Sequence, residues 1–390
     1  YRPVEFAQRL AKLLNSSAAF SAAQERAIKS SILVSPIAAV IIAILIAGYV
    51  IDIRVLNSES ANPSSDTYLV AVQPNVPMNG LSQSRWTILR KRQAYLAETE
   101  LKAPGFQTLS RLQAKSDALP ENIQKRTRFY EELALESFRA GEKVVVLPES
   151  PMNYQYDKDP GFRMFIGDFA RRNNVSVLFN SAEPDAGRKN GFFNSAVMVD
   201  KNGKKIEQYD KIHLLPFGEF VPLPEVIAKL VPPMVGRFSP GKEYDLLPVG
   251  SAKAGVMICF ESHFPSLSRE YARNGADVLI EMTNDGYLGN TPVLRQHFAS
   301  AVFRAVETNR PVLRVTNVGI TAYISAKGNI FDQAGVYQEA LRVWPVRKTD
   351  GTQTIYVRFG DWFAVLCLIV TLGLSFSCFW NRSSDELQEV

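Results

Sequence analysis

Cysteine and histidine are both scarce, with three of each in 390 residues. His213, His263 and His297 are scattered without paired ligand spacing, so the chain offers no zinc-type site and no metal is expected. A Gly-rich phosphate loop and a Gly-x-Ser-x-Gly elbow are both missing, which removes the P-loop and serine-hydrolase readings. No cofactor is expected. The basic residues form no cluster with interleaved aromatics, so a net charge of +5 and a pI near 8.9 do not argue for a nucleic-acid partner. There is no internal repeat and no low-complexity block.

Apolar residues make up 46% of the chain and concentrate at its two ends. Ile32–Ile51 is a 20-residue uncharged stretch, long enough to span a bilayer and longer than a signal-peptide core. Phe363–Trp380 is uncharged over 18 residues, at the lower limit for a span; a buried core helix is the other reading. Arg2, Arg9, Lys12, Arg26 and Lys29 precede the first stretch, and only Arg54 follows it before Asp66. The positive-inside bias therefore places the N-terminus in the cytoplasm and residues 52–362 outside. Around the second stretch the bias runs the other way, with Arg347, Lys348 and Arg358 before it and Arg382 after. Large folded domains translocate largely regardless of charge, so the first stretch decides.

The resulting organisation has seven parts. Residues 1–31 are an amphipathic cytoplasmic segment (Phe6, Leu10, Leu13, Leu14) or the end of a membrane bundle. Residues 32–51 are a transmembrane helix, 52–66 a polar linker, and 67–345 a globular domain facing outward. Residues 346–362 connect to a second transmembrane helix over 363–380, and 381–390 form a cytoplasmic tail. Within the domain, Val226–Met234 reads either as a lid that dips into lipid or as a core helix with a proline stop.

Residues 67–345 alternate between the two regular periods. Strands are expected at Tyr68–Gln73, Lys143–Leu147, Val175–Phe179, Ala254–Cys259, Asp277–Glu281 and Pro311–Thr316. Helices are expected at Arg85–Lys102, Ile123–Arg139, Gly161–Arg172, Ser266–Asn274 and Val293–Asn309. Hairpins are expected where Lys201-Asn202-Gly203 joins Phe192–Asp200 to Lys204–Tyr209, and where Lys327-Gly328 joins Ala322–Ser325 to Ile330–Tyr337. The alternation implies an α/β layered domain, and the hairpins make its sheet mixed.

Three segments place reactive side chains just beyond strands, where ligand sites of α/β sheets form. Cys259 follows the apolar run Val256-Met257-Ile258 and precedes a helical stretch, a strand-to-helix elbow that can hold a nucleophile rigid and accessible. Cys367 and Cys378 lie in the second apolar stretch, so Cys259 has no evident disulfide partner. An unpaired thiol in an oxidising compartment reads as reactive or as a small buried hydrophobe. A thiol attacking an acyl carbon needs a base and a positive group for the oxyanion. Glu149, after Val144–Leu147, can take the thiol proton. Lys211 can hold the oxyanion together with the backbone N–H of Phe260. Glu219 can position Lys211 or share the proton work. Taken singly, such a glutamate also fits a solvated loop and such a lysine a surface, and spacing does not choose between the readings.

Longer stretches do choose. Val72-Gln73-Pro74-Asn75-Val76-Pro77, Leu147-Pro148-Glu149-Ser150-Pro151, Tyr209–Pro222, Ile258-Cys259-Phe260-Glu261, Thr283–Gly289, Gln296-His297 and Arg304–Ile320 resemble, in this order, the nitrilase (carbon-nitrogen hydrolase) superfamily, and within it the apolipoprotein N-acyltransferase family. The resemblance implies an α-β-β-α sandwich over residues 67–345 with flanking transmembrane helices, on the periplasmic side of the bacterial inner membrane of a multi-pass protein. It implies transfer of a fatty acyl chain from a phospholipid, through a Cys259 thioester, to the N-terminal amine of the diacylglyceryl cysteine of apolipoproteins. Glu149 is then the base, Lys211 the oxyanion stabiliser and Glu219 a second essential carboxylate. Phe260, Glu261, Trp86, Asn284 and Tyr287 are implied to contact substrate. The alternative is a membrane-tethered amidase that uses the same triad with water as acceptor. Two features depart from the family: Phe260 stands where a tyrosine is common, and one candidate span precedes the domain where several are usual. The sequence begins at Tyr1 with no initiator Met, which reads either as a fragment or as a chain whose other helices lie on a separate segment.

Overall fold

The structure, a computed structural model, describes residues 66–76, 83–102, 138–149, 154–188, 190–221 and 238–386. The expected span at 32–51, nearly all of the expected helix at 123–139 and the expected lid at 226–234 lie outside these residues.

Thr67–Gln73 (β1), Glu142–Val146 (β2), Ser176–Asp185 (β3), Gly191–Val199 (β4) and Lys205–Asp210 (β5) belong to one sheet. Ala340–Val346 (β12) returns to its edge, giving the order β12-β1-β2-β3-β4-β5. Leu246–Val249 (β6), Ala252–Ile258 (β7), Val278–Thr283 (β8), Val312–Thr316 (β9), Ala322–Ile324 (β10) and Ile330–Phe331 (β11) form a second, in the order β11-β10-β9-β8-β7-β6. The centre of each sheet is parallel: Thr67 pairs with Glu142, Val144 with Ser176, Ala254 with Val278, and Leu279 with Val312.

Strand periodicity assigns the layers. In β1 to β3, Leu69, Ala71, Val144, Val146 and Leu178 face one core, shared with Leu247, Val256, Leu279 and Leu313 of the other sheet. The alternate residues Tyr68, Val70, Val72, Val145, Val177 and Phe179 face a second core, completed by Phe162, Ile166 and Phe169. Strands buried on both faces read as continuous apolar runs, as these do. The helices over the first sheet are Gln83–Lys102 (α1) and Pro160–Asn173 (α2). Asp159 caps α2 by accepting from the Phe162 N–H at 3.0 Å, Pro160 fits its first turn, and Asn174 closes it in the left-handed conformation. Pro265–Arg273 (α3) and Pro292–Thr308 (α4) cover the second sheet, each opening on a proline. The result is the expected four-layer α-β-β-α sandwich.

Ile355–Phe359 (α5) docks on α3, where Arg269 donates to the carbonyls of Tyr356 and Arg358 at 3.1 and 3.3 Å. Trp362–Glu386 (α6) follows. Its side chains are described as far as Phe376, and Phe363, Val365, Leu368, Ile369, Leu372, Leu374 and Phe376 are all exposed. Among the described residues no helix is long and apolar enough to cross a membrane.

Candidate active site

The parallel strands of both sheets end at one rim, and the chain leaving them builds a cavity of about 250 Å³. Glu149, Lys211, Glu219 and Cys259 all line it, as do Asn284 and Tyr287. Four side chains from three sequence segments thus converge.

β5 ends at Asp210, but pairing continues one residue further, because the Lys211 N–H donates to the Asn194 carbonyl at 2.8 Å. That last bond turns the lysine inward, to 1% exposure. Glu219 meets it from the turn over Leu215–Phe220. Its carboxylate lies 2.8 and 3.0 Å from the Lys211 Nζ and accepts from the Leu215 N–H at 2.7 Å. The lysine is buried, which disfavours its charge, but the Glu149 and Glu219 carboxylates outweigh burial and hold it well above the usual lysine range, so it stays an ammonium.

Glu149 follows β2 by way of Leu147-Pro148. Its Oε1 accepts from Asn194 Nδ2 at 3.1 Å, and the same amide donates to Glu219 Oε1 at 2.6 Å. Asn194 is itself oriented by Asn180, whose Nδ2 donates to its Oδ1 at 2.7 Å. One amide therefore spaces two carboxylates that would otherwise repel. Glu149 Oε2 is buried and accepts no hydrogen bond of good geometry among the described residues, which leaves it free to receive a proton. Burial raises the Glu149 pKa and Glu219 adds to the rise, while Lys211, Asn194 and the Cys259 thiol oppose it; the net direction is up.

Cys259 opens a short 3-10 turn, Cys259–His263, at the end of β7. Its φ is +54°, in the left-handed region that a non-glycine residue occupies at a cost. This kink points the thiol away from the strand line and leaves the next amide, that of Phe260, in the first turn, where backbone N–H groups lack intrahelical acceptors. Burial and then the Glu149 carboxylate push the thiol pKa up, against the pull of Lys211 and a hydrogen bond with Thr283. The resting sulfur is a thiol beside a carboxylate that can deprotonate it.

The remaining sequence candidates fall differently. Asn284 is buried at the cavity wall, where its Oδ1 accepts from the Asn317 Nδ2 at 3.1 Å and the Gly286 N–H at 3.2 Å. Tyr287 stands at the mouth, 76% exposed. The Phe260 ring stacks on His263 at 4.8 Å and meets Phe264 edge to face at 5.4 Å, and it is absent from the cavity lining. Glu261, expected to contact substrate, is instead fully buried and absent from the cavity lining. Its Oε1 accepts from the Tyr209 hydroxyl at 2.8 Å and the N–H groups of Ile212 and His213 at 2.8 and 3.0 Å, and its Oε2 from the Ile258 N–H at 2.8 Å. Burial lifts its pKa to about 7 against Lys211 and these donors. Glu261 ties the Lys211 segment to the Cys259 elbow. The Trp86 side chain lies outside the described residues.

Sequence reasoning missed Asn194, Asn180 and Thr283. The one available signal was the polar pair Asn194-Ser195 inside the otherwise apolar run Phe192–Val199. No group of side chains suited to hold a metal ion occurs among the described residues.

Comparison with known proteins gives a consistent result. The carbon-nitrogen hydrolase family model matches residues 107–356, well over half of the chain. An apolipoprotein N-acyltransferase of Geobacter metallireducens is 35% identical over 257 residues, covering 64% of this chain and 48% of its own length. One from Thermotoga maritima is 36% identical over 197 residues, covering 50% of this chain and 38% of its own. The chain thus spans about half, or less, of the length of the curated relatives it matches. Among solved structures, Saccharomyces cerevisiae Nit3, a member of branch 10 of the nitrilase superfamily, aligns with a TM-score of 0.49 at 19% identity, covering 73% of this chain and 90% of that one.

Proposed function

The chain belongs to the carbon-nitrogen hydrolase family, and from that premise we propose that it carries out the reaction for which its curated relatives are named, the N-acylation of apolipoproteins. The observation that carries this reading is the convergence of Glu149, Lys211, Glu219 and Cys259 on one cavity. The acyl donor is a phospholipid and the acceptor the N-terminal amine of a diacylated apolipoprotein.

The chemistry follows from the geometry. The Cys259 thiol gives its proton to Glu149 Oε2 as sulfur bonds to the ester carbon of the phospholipid. The carbonyl electron pair moves onto oxygen, which Lys211 Nζ and the Phe260 N–H stabilise. The intermediate collapses, the ester C–O bond breaks, and the departing lysophospholipid oxygen takes the proton from Glu149. The amine of the acceptor then attacks the thioester carbon and passes a proton to Glu149, and the departing sulfur recovers it. Glu219 holds Lys211 in place, and Asn194 keeps the two carboxylates at hydrogen-bonding distance from one amide.

The placement that supports lipid access is a catalytic domain on the periplasmic side of a bacterial inner membrane, with Ile32–Ile51 and Phe363–Trp380 as spans. The seven exposed apolar side chains of α6 favour this placement, because bare apolar surface of that extent needs a cover. Tyr287, Phe217 and Leu215, all exposed beside the cavity, suit an acyl chain arriving from lipid.

The test is incubation of the full chain with phospholipid carrying a labelled acyl chain. Label should accumulate on Cys259, leave with neutral hydroxylamine, and be absent from Cys259→Ala. An unlabelled wild type, or equal label on the alanine variant, would refute the transferase. A thioester that discharges as fast in water as with an amine acceptor would mark the amidase instead.

A further inference from the structure

We propose that His297 is a positioning residue of the acylation step: it holds the carbonyl of Cys259 and so strengthens the Phe260 N–H as a donor to the oxyanion. The inference rests on the reading of Cys259 as nucleophile given above. The Cys259 carbonyl and the Phe260 N–H belong to one peptide group. A hydrogen bond to that oxygen, above all from a cation, draws electrons from the amide and makes its N–H a better donor, because hydrogen bonds in series polarise one another.

His297 Nε2 lies 3.2 Å from the Cys259 oxygen. The residue projects from the first half of α4 and is 5% exposed. Its other nitrogen, Nδ1, lies 2.9 Å from Asp285 Oδ1 and 3.3 Å from Arg314 Nη2. The nearer carboxylate sets the proton on Nδ1, which aims the second N–H at the Cys259 carbonyl. Every charged or titratable group around the ring can be named. Glu281 of β8 lies 3.3 Å from Nε2. Arg314 of β9 lies 3.0 Å from Asp285 Oδ2 and 3.5 Å from Glu281. His263 of the nucleophile turn stacks on the ring at 5.0 Å. Two carboxylates thus face two cations, and the cluster balances only when His297 is an imidazolium. Burial and Arg314 push its pKa down, but Asp285 and Glu281 outweigh them and lift it to about 9. The cation is therefore present at neutral pH.

A second contact from the same helix shows that α4 acts on the elbow as a whole. Arg304, two turns beyond His297, donates to the Ser262 carbonyl at 3.0 Å. These bonds run to main-chain oxygens of the nucleophile turn and not to the cavity. His297 is absent from the cavity lining, so it works through the peptide and not on substrate.

Two reactions of the same sulfur separate this role from a merely structural one. Acylation by a p-nitrophenyl ester passes through an oxyanion; alkylation by iodoacetamide does not. His297→Gln keeps a neutral donor and His297→Leu removes it. We expect acylation to fall on the order of ten-fold in the first and further in the second, a fraction of what loss of an entire oxyanion donor costs. Alkylation should stay within about two-fold of wild type, since the sulfur and Glu149 are untouched. The infrared carbonyl stretch of the acyl-enzyme should rise in the order wild type, glutamine, leucine. Equal losses in acylation and alkylation would mean a displaced elbow and overturn the proposal, as would no loss in either. The wild type supplies an independent reading should both variants fail to fold. The ratio of acylation to alkylation should drop as pH rises through about 9, where the imidazolium loses its proton; a flat ratio would also overturn it. Because the ester is not a lipid, a failure here is distinct from a failure of phospholipid transfer.

Discussion

At the scale of single residues the site depends on an asparagine. Asn194 donates to both Glu149 and Glu219, so one amide serves two carboxylates at once. Asn194→Leu leaves each with one donor fewer, a penalty of about 1–3 kcal/mol for a buried acceptor, so thioester formation should slow roughly ten- to one-hundred-fold. The sign of the pH effect also follows. The Asn194 bond lowers the Glu149 pKa, so its loss raises it. The rising limb of the acylation profile, which requires ionised Glu149, should then move to higher pH in the variant. A profile that keeps its position while the rate falls would point to lost geometry alone. Glu149, Lys211, Glu219 and Cys259 were legible in the sequence because each stands just past an apolar run or turn, in wording that resembles a family. Asn194, Asn180 and Thr283 were not, because a polar residue within a strand gains meaning only from what the neighbouring strand brings opposite it. Glu261 was legible as a residue of interest but not in its direction, since one step along a turn decides whether a side chain meets the cavity or the core.

At the scale of elements, β5 and β7 come from opposite sheets and are joined through Glu261. Its four accepted bonds link Tyr209, Ile212 and His213 with Ile258. Glu261→Gln places an amide N–H against N–H donors and should cost on the order of 2–3 kcal/mol, read as a lower urea midpoint at unchanged slope. A midpoint equal to that of the wild type would show that the tie does not hold the two strands. Most elements followed from periodicity, and the exceptions have local causes. β6 and β12 were not anticipated, and each carries a proline, Pro248 or Pro345. Proline lacks the N–H that a central strand needs, but both strands are the outermost of their sheets, where one side needs no ladder. The expected strand Ile330–Tyr337 shrinks to Ile330–Phe331, because the chain from Asp332 turns away to meet β12: Arg342 donates to the Asp332 carbonyl at 2.9 Å and Trp344 Nε1 to its carboxylate at 3.1 Å.

At the scale of the molecule, α6 sets the constraint. A folded sandwich with buried cores on both sides of its first sheet has no need of a helix with seven large apolar side chains exposed among its described residues. Cys367 is exposed on that helix and offers a probe. With Cys259→Ala and Cys378→Ser as background, Cys367 should resist a charged maleimide in lipid vesicles and react in unfolding denaturant. Rapid labelling in intact vesicles would place α6 in water and remove the second span.

The groups proposed to act together stand at positions 149, 211 and 259, on segments that depart from both sheets. Neither sheet alone brings the three together. The thiol acquires a base and an anion-stabilising cation only at the instant the two halves close on their common core. On the proposed reading, maturation of the polypeptide and arming of its sulfur are therefore a single event.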